Sequence, residues 1–156
     1  LVTDNTWSKF QILDLTSVGI GDAGAIAIAK NTTWVNLQYL TIFVDSVGNE
    51  GAAALAKNKT WKNLERLCLG YNMIEDAGAT ALSKNQTWTK LTGLDLRMNE
   101  ITDKGALCLA SNKIWKLEYL ELEDNRKVTR NGVAAMKKVP NFKAKVTFGK
   151  DDTGED

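Results

Sequence analysis

At 156 residues, with 20 basic and 19 acidic side chains, the chain is one domain's worth of sequence with a formal net charge of +1. That balance provides no strongly basic field, so neither nucleic acid nor a membrane surface is expected as partner. No apolar run approaches the ~20 residues that a membrane helix needs, and the absence of histidine removes the commonest general base and metal ligand.

Five tryptophans, Trp7, Trp34, Trp61, Trp88 and Trp115, each lie 27 residues from the next, and Phe142 stands where a sixth would fall. A unit of that length cannot bury its own apolar face, so the period predicts a stacked solenoid. The units run near 7–33, 34–60, 61–87, 88–114 and 115–141, followed by a cap at 142–148 and an acidic tail at 149–156 that reads as disordered. Leu1-Val2-Thr3-Asp4 aligns with Ile28-Ala29-Lys30-Asn31, so the chain is expected to begin inside a unit, as a piece of something longer.

In chain order, strands are predicted at 10–15, 37–42, 64–69, 91–96 and 117–122, each apolar at its first, fourth and sixth positions. Ile20, Val47, Ile74, Ile101 and Val128 plug the wedge behind each strand. Asp22, Asn49, Asp76, Asp103 and Thr129 are expected to cap the first turn of the helix that follows each one. Gly24, Gly51, Gly78, Gly105 and Gly132 come next, where the helix approaches the turn of its own unit. Ile28, Leu55, Leu82, Leu109 and Met136 form the buried helix column, and Asn31, Asn58, Asn85 and Asn112 are expected to end the helices in the left-handed conformation. The tryptophans read as a stacked indole spine. Asn72, Asn99 and Asn125 are placed to satisfy turn backbone between coils, whereas Val18 and Asp45 break that column and predict a less regular ladder in the first two units. Unit five loses a residue before Leu117 and gains one near Arg126-Lys127, so its turn should bulge. After Pro140, residues 144–148 can add a sixth strand with a lysine-rich edge.

The stretch Leu64, Leu67, Leu69, Asn72 and Ile74 writes L-x-x-L-x-L-x-x-N-x-I, and an Ala/Leu helix follows. The pattern resembles a leucine-rich repeat, and the full helix with glycine near its start is similar to the ribonuclease-inhibitor-like class. The resemblance implies an α/β leucine-rich-repeat solenoid, a curved right-handed β-α superhelix with a parallel sheet on the concave face and helices on the convex face. It also implies a non-enzymatic protein-interaction module, acting as a monomeric scaffold. One branch of the class stimulates a small GTPase, which leaves a GTPase-activating role as an alternative, and an architectural spacer of a larger protein is a second.

No phosphate loop, Cys-x-x-Cys pair or nucleophile elbow is present, so no catalytic residue, cofactor or metal site is expected. Glu118, Glu121, Glu123 and Asp124 read as a solvated acidic rim. Cys68 and Cys108 fall on opposite sides of a coil, beyond disulfide reach, which favours a reducing, cytoplasmic setting. Three sequons at Asn31, Asn58 and Asn85 weigh little against that, because a repeat multiplies a chance match. The positions that vary from unit to unit are those expected to face solvent on the sheet. Among them Tyr39, Phe43, Arg66, Tyr71, Asp95, Arg97, Tyr119 and Glu121 are the candidate partner-binding residues, combining aromatic area with charge.

Overall fold

The computed structural model describes residues 9–149. Strand and helix alternate throughout: β1 (Ile12–Asp14), α1 (Gly21–Ala29), β2 (Tyr39–Thr41), α2 (Asn49–Ala56), β3 (Arg66–Cys68), α3 (Asp76–Ser83), β4 (Gly93–Asp95), α4 (Asp103–Ala110), β5 (Tyr119–Glu121), α5 (Arg130–Met136) and β6 (Lys145–Thr147). The six strands form one parallel sheet in sequence order. Their register is the repeat itself: Leu13, Leu40, Leu67, Leu94, Leu120 and Val146 are successive partners. The architecture is the expected α/β solenoid. Trp7, the Leu1-Val2-Thr3-Asp4 segment and the acidic tail beyond Gly149 lie outside the described residues.

The strands are half the predicted length. Ladder bonds do continue past them, as from the Leu69 amide to the Asp95 carbonyl at 2.8 Å. However, Ser17, Val44, Tyr71, Met98 and Asp124 all take positive φ, between 52° and 62°, and turn the chain off the sheet. Val44 does so despite its branched side chain, a conformation that costs roughly 1–2 kcal/mol.

The core runs the length of the sheet behind the strands. Leu40, Leu55, Trp61, Leu67, Ile74, Leu82, Trp88, Leu94 and Leu109 are essentially inaccessible. The same columns at the start of the solenoid (Leu13, Ile20 and Ile28 of the first coil, and Trp34 opening the second) are only partly buried. Trp88 and Trp115 stack at 6.2 Å with planes 16° apart, and Trp34 lies tilted against Phe10 at 5.8 Å. The tryptophan column is therefore core, although its indole N–H groups at Trp61, Trp88 and Trp115 are buried without an acceptor.

Of the polar residues at the helix starts, Thr129 caps its own helix as predicted, its hydroxyl accepting from the Gly132 amide at 3.1 Å, but the other four do something else. Asp22, Asn49, Asp76 and Asp103 serve the helix of the following coil, not their own. Asp22 Oδ1 accepts from the Gly48 and Gly51 amides at 2.7 and 2.8 Å, and Asn49 Oδ1 from Glu75 and Gly78 at 3.0 and 2.7 Å. Asp76 accepts from the Thr102 amide and hydroxyl at 2.8 and 2.7 Å and from the Gly105 amide at 3.0 Å. Asp103 repeats the arrangement on Thr129. This also accounts for Gly51, Gly78, Gly105 and Gly132, whereas at Gly24 the coil's own plug, Ile20, fills the space. A Cβ on Gly105 would stand 2.5 Å from Asp76 Oδ1 and 2.9 Å from the Ile101 side chain, so the neighbouring coil's acceptor and the coil's own plug exclude it together.

A second correction concerns the helix ends. None of Asn31, Asn58, Asn85 and Asn112 is left-handed, and the helices close through Lys30, Lys57, Lys84 and Ser111 in ordinary right-handed geometry. Asn58, Asn85 and Asn112 instead bridge coils, and Asn31 closes its own turn by accepting from the Thr33 and Trp34 amides. Asn58 Oδ1 accepts from the Thr60 and Trp61 amides while Nδ2 donates to the Ala29 and Asn31 carbonyls, both at 2.9 Å. Asn85 and Asn112 follow the same pattern. Two of the three sequon asparagines, Asn58 and Asn85, are thus buried with the amide nitrogen engaged.

The turn ladder behaves as expected at Asn72, Asn99 and Asn125, each accepting from a preceding-coil amide and donating to backbone carbonyls. Asp45 keeps the acceptor half of the role, binding the Gly19 amide with Oδ1. A carboxylate cannot supply the donor half, and its Oδ2 is buried without a partner. In the fifth coil the extra residue is absorbed by a turn closed from Val128 N–H to Asn125 carbonyl at 2.8 Å, with Lys127 bridging to Thr102.

Two outcomes follow. Asp45→Asn restores the missing donor at a fully buried position and should raise stability by about 1–2 kcal/mol in chemical denaturation; a lowered midpoint would contradict the ladder reading. Asp76→Ala should cost about 1–2 kcal/mol by stripping the cap from α4, and Asp76→Asn far less. Burial pushes the Asp76 carboxyl up, but hydrogen bonds from Thr102 and Gly105, with Lys104 nearby, outweigh it and hold it below the usual range. A depressed folded value means stability present above the unfolded carboxylate range and lost as pH falls through the folded value. Asp76→Asn should therefore flatten the acid limb of the stability curve.

Candidate functional site

Alternation along each short strand sends its middle residue to the core and the two flanking ones to the open face of the sheet. The parallel register then sets like positions side by side: Tyr39, Arg66, Gly93 and Tyr119 in one row, Thr41, Cys68, Asp95 and Glu121 in the next. Phe43, Gly70 and Arg97 follow beyond the strand ends.

Glycine gaps shape these rows. A Cβ on Gly70 would lie 2.7 Å from the Phe43 ring, which leans across it, and one on Gly93 would lie 3.3 Å from the Arg66 stem. Phe43 reaches Tyr71 in the next coil, with centroids 4.8 Å apart and planes at 55°. The Arg97 guanidinium sits 5.8 Å above the Phe43 ring, a cation–π geometry. It also makes a fork to Asp95, with Nη2 at 2.9 Å from Oδ2 and Nε at 3.2 Å from Oδ1, and Nε lies 3.6 Å from Glu121.

Six of the eight nominated residues, Tyr39, Arg66, Asp95, Arg97, Tyr119 and Glu121, line one depression of about 270 Å³. Phe43 and Tyr71 join it through Arg97. Arg66 is exposed, and Tyr71 and Tyr119 are 45% and 46% exposed. Asp95 departs from its expected place on the surface. At 9% exposure it is turned inward to Arg97 and Cys68, so it holds the site together instead of offering itself to a partner. Gly70, just beyond the end of its strand, is covered by Phe43. The aromatic and the charged residues of this face meet where Arg97 joins Phe43 to Asp95 and Glu121. Thr41, Cys68 and Gly93, with the buried Leu40, Leu67 and Leu94, also line the depression and were not nominated. The available signal for Gly93 was a missing side chain in a row where every neighbour has one.

Electrostatics argue against nucleophilic chemistry at Cys68. Burial, with Asp95 adding to it, pushes the thiol up to about 12, and Sγ donates to Asp95 Oδ2 at 3.1 Å. Burial and then Asp95 raise the Glu121 carboxyl, against the opposing pull of Arg97. Among the described residues no group of three or more His, Cys, Asp and Glu is placed to hold a metal, and no helix is long and apolar enough to cross a membrane. Both cysteines are free.

Against known proteins, three segments of the chain, residues 8–29, 62–83 and 89–110, match the family model described as Leucine Rich repeat. The matched segments fall on coils one, three and four, and the structure shows coils two and five in the same register between and after them. No curated protein matches the chain.

A thiol raised from 9.0 to about 12 carries roughly a thousandth of the usual thiolate at neutral pH. Alkylation followed by mass spectrometry should accordingly find Cys68 resistant in the folded protein and ordinary once unfolded. Rapid labelling of folded Cys68 would show that its burial and its bond to Asp95 are not as described.

Proposed function

We propose that this leucine-rich repeat protein is a protein-binding module that engages its partner through the open face of the sheet. A full helix in every coil and a 27-residue period support placing it in the ribonuclease-inhibitor-like class. Leucine-rich repeats are generally interaction modules, and the residues that vary between coils of this chain lie on the open face.

The observation that carries the reading is the joined cluster of Phe43, Tyr71 and Arg97. Side chains of this kind dominate interface energetics, because rings give large contact area at low entropic cost and arginine supplies a planar donor fork. Free arginines lose much rotamer freedom on binding. Here the fork to Asp95 and the ring of Phe43 hold Arg97 in place beforehand, which lowers the cost of association. Arg66, between Tyr39 and Tyr119, is exposed beside the cluster and has no carboxylate within ion-pair distance among the described residues. The reading therefore favours a partner that presents acidic and apolar side chains together, bound by one copy of the chain.

The test is affinity capture followed by binding measurements on the captured protein. Alanine at Tyr39, Phe43, Arg66, Tyr71 and Arg97 should weaken binding by at least ~1–2 kcal/mol at two or more of the five, with melting little changed for the exposed Arg66 and Tyr71. Lys57→Ala and Lys84→Ala, at the ends of α2 and α3, should leave it unaltered. A partner that responds to those lysines and ignores all five open-face residues would move the site to the helices.

A further inference from the structure

The net charge of +1 is an average over two unlike edges. Because every strand is parallel, all the turns that lead from a helix back to a strand lie along one edge of the solenoid. Those segments, residues 9–11, 30–38, 57–65, 84–92, 111–118 and 137–144, carry twelve lysines, no arginine, and two acids, Glu65 and Glu118. All twelve lysines are exposed, and none has a carboxylate within ion-pair distance among the described residues. The turns on the opposite edge, 15–20, 42–48, 69–75, 96–102 and 122–129, hold five acids and three bases.

Helix ends account for a fraction of this. Five helices present their negative ends at the lysine edge, together worth about −2.5 charges, and lysines there are favourable. A net +10 on that edge exceeds this several-fold. Lys59, Lys62 and Lys113 lie in the turns beyond the helix ends, where no helix carbonyl needs them.

We propose that the lysine edge is a docking surface for the phosphate backbone of duplex nucleic acid, separate from the open face. Charge density favours this occupant. Six strands at ~4.8 Å spacing extend about 24 Å, and a duplex presents one charge per ~1.7 Å, or about 14 over that distance. A protein surface mixes its signs, and a cytoplasmic leaflet is only partly anionic. The residue types set the mode. Lysine is a point charge without the planar fork that reads base edges, which points to contact with phosphates and not to sequence readout. Trp61, Trp88 and Trp115 of this edge are buried and Trp34 is partly buried against Phe10, so among the described residues the edge has no fully exposed indole as a stacking platform for a single strand.

The test is fluorescence anisotropy with DNA and RNA duplexes of about 20 base pairs, from roughly 50 to 200 mM salt, beside vesicles of phosphatidylcholine with phosphatidylserine and beside polyglutamate. Binding of either duplex should weaken steeply with salt, and the DNA and RNA arms show which duplex is preferred. The combined variant Lys59→Gln, Lys62→Gln, Lys113→Gln should lose at least about tenfold in affinity and reduce the logarithmic salt slope by about 3. Arg126→Gln with Lys127→Gln, on the opposite edge, should change affinity less than about twofold. No duplex binding at the lowest salt, an unchanged affinity in the lysine variant, or tighter binding to vesicles or polyglutamate would each overturn the proposal. Because none of these substitutions touches the open face, the outcome is independent of the protein-binding reading.

Discussion

No coil of this protein satisfies its own backbone, and the structure depends on that incompleteness. Asn72, Asn99 and Asn125 reach back to the preceding turn, Asp22, Asn49, Asp76 and Asp103 reach forward to the next helix start, and Asn58, Asn85 and Asn112 tie each helix end to the one before. Each is a side-chain group closing an amide or carbonyl that its own coil leaves open, and at the fully buried Val47, Ile74 and Ile101 amides leaving the group unpaired would cost about 1–3 kcal/mol. Together with the leucine and tryptophan columns they make the fold a chain of nearest-neighbour interfaces. Gly51, Gly78, Gly105 and Gly132, which open the later helices, belong to the same device, since an incoming carboxylate or amide occupies the space a Cβ would need.

Committing the backbone polar groups and the inner face to neighbouring coils leaves the open face without structural duties. The consequence is visible at Gly70 and Gly93. With no side chain of their own, they let Phe43 and Arg66 lean across, and the leaning creates both the aromatic contact to Tyr71 and the depression between Tyr39 and Tyr119. Asp95 is the one strong departure on this face, a nearly buried carboxylate. Burial of that charge is tolerated because Arg97 meets it with a fork and the Arg97 amide and Cys68 thiol add two more donors.

Parallel connectivity has an electrostatic result as well. It sends every helix-to-strand turn to one edge, so lysines spread evenly along the sequence become a single basic border. A composition cannot register this, because the acids that balance those lysines lie largely elsewhere on the coils.

Much was legible from residue order alone. The 27-residue spacing, the leucines of each strand and the recurrent asparagines were enough for the sheet, the helices, their sequence and the sixth strand, because a periodic core admits few other arrangements. Six residues nominated for the open face do line one depression, since alternation in a strand fixes which side a residue takes. What periodicity could not say is which copy a side chain serves. Asp22 capping α2 and Asn58 bonding to Ala29 are contacts between residues 26–29 positions apart, indistinguishable by spacing from a contact within one coil. The direction Phe43 leans, the inward turn of Asp95 and the gathering of lysines on one edge were likewise decided by tertiary structure. Each depends on what the adjacent coil leaves empty or fills, and a single repeat carries no record of that.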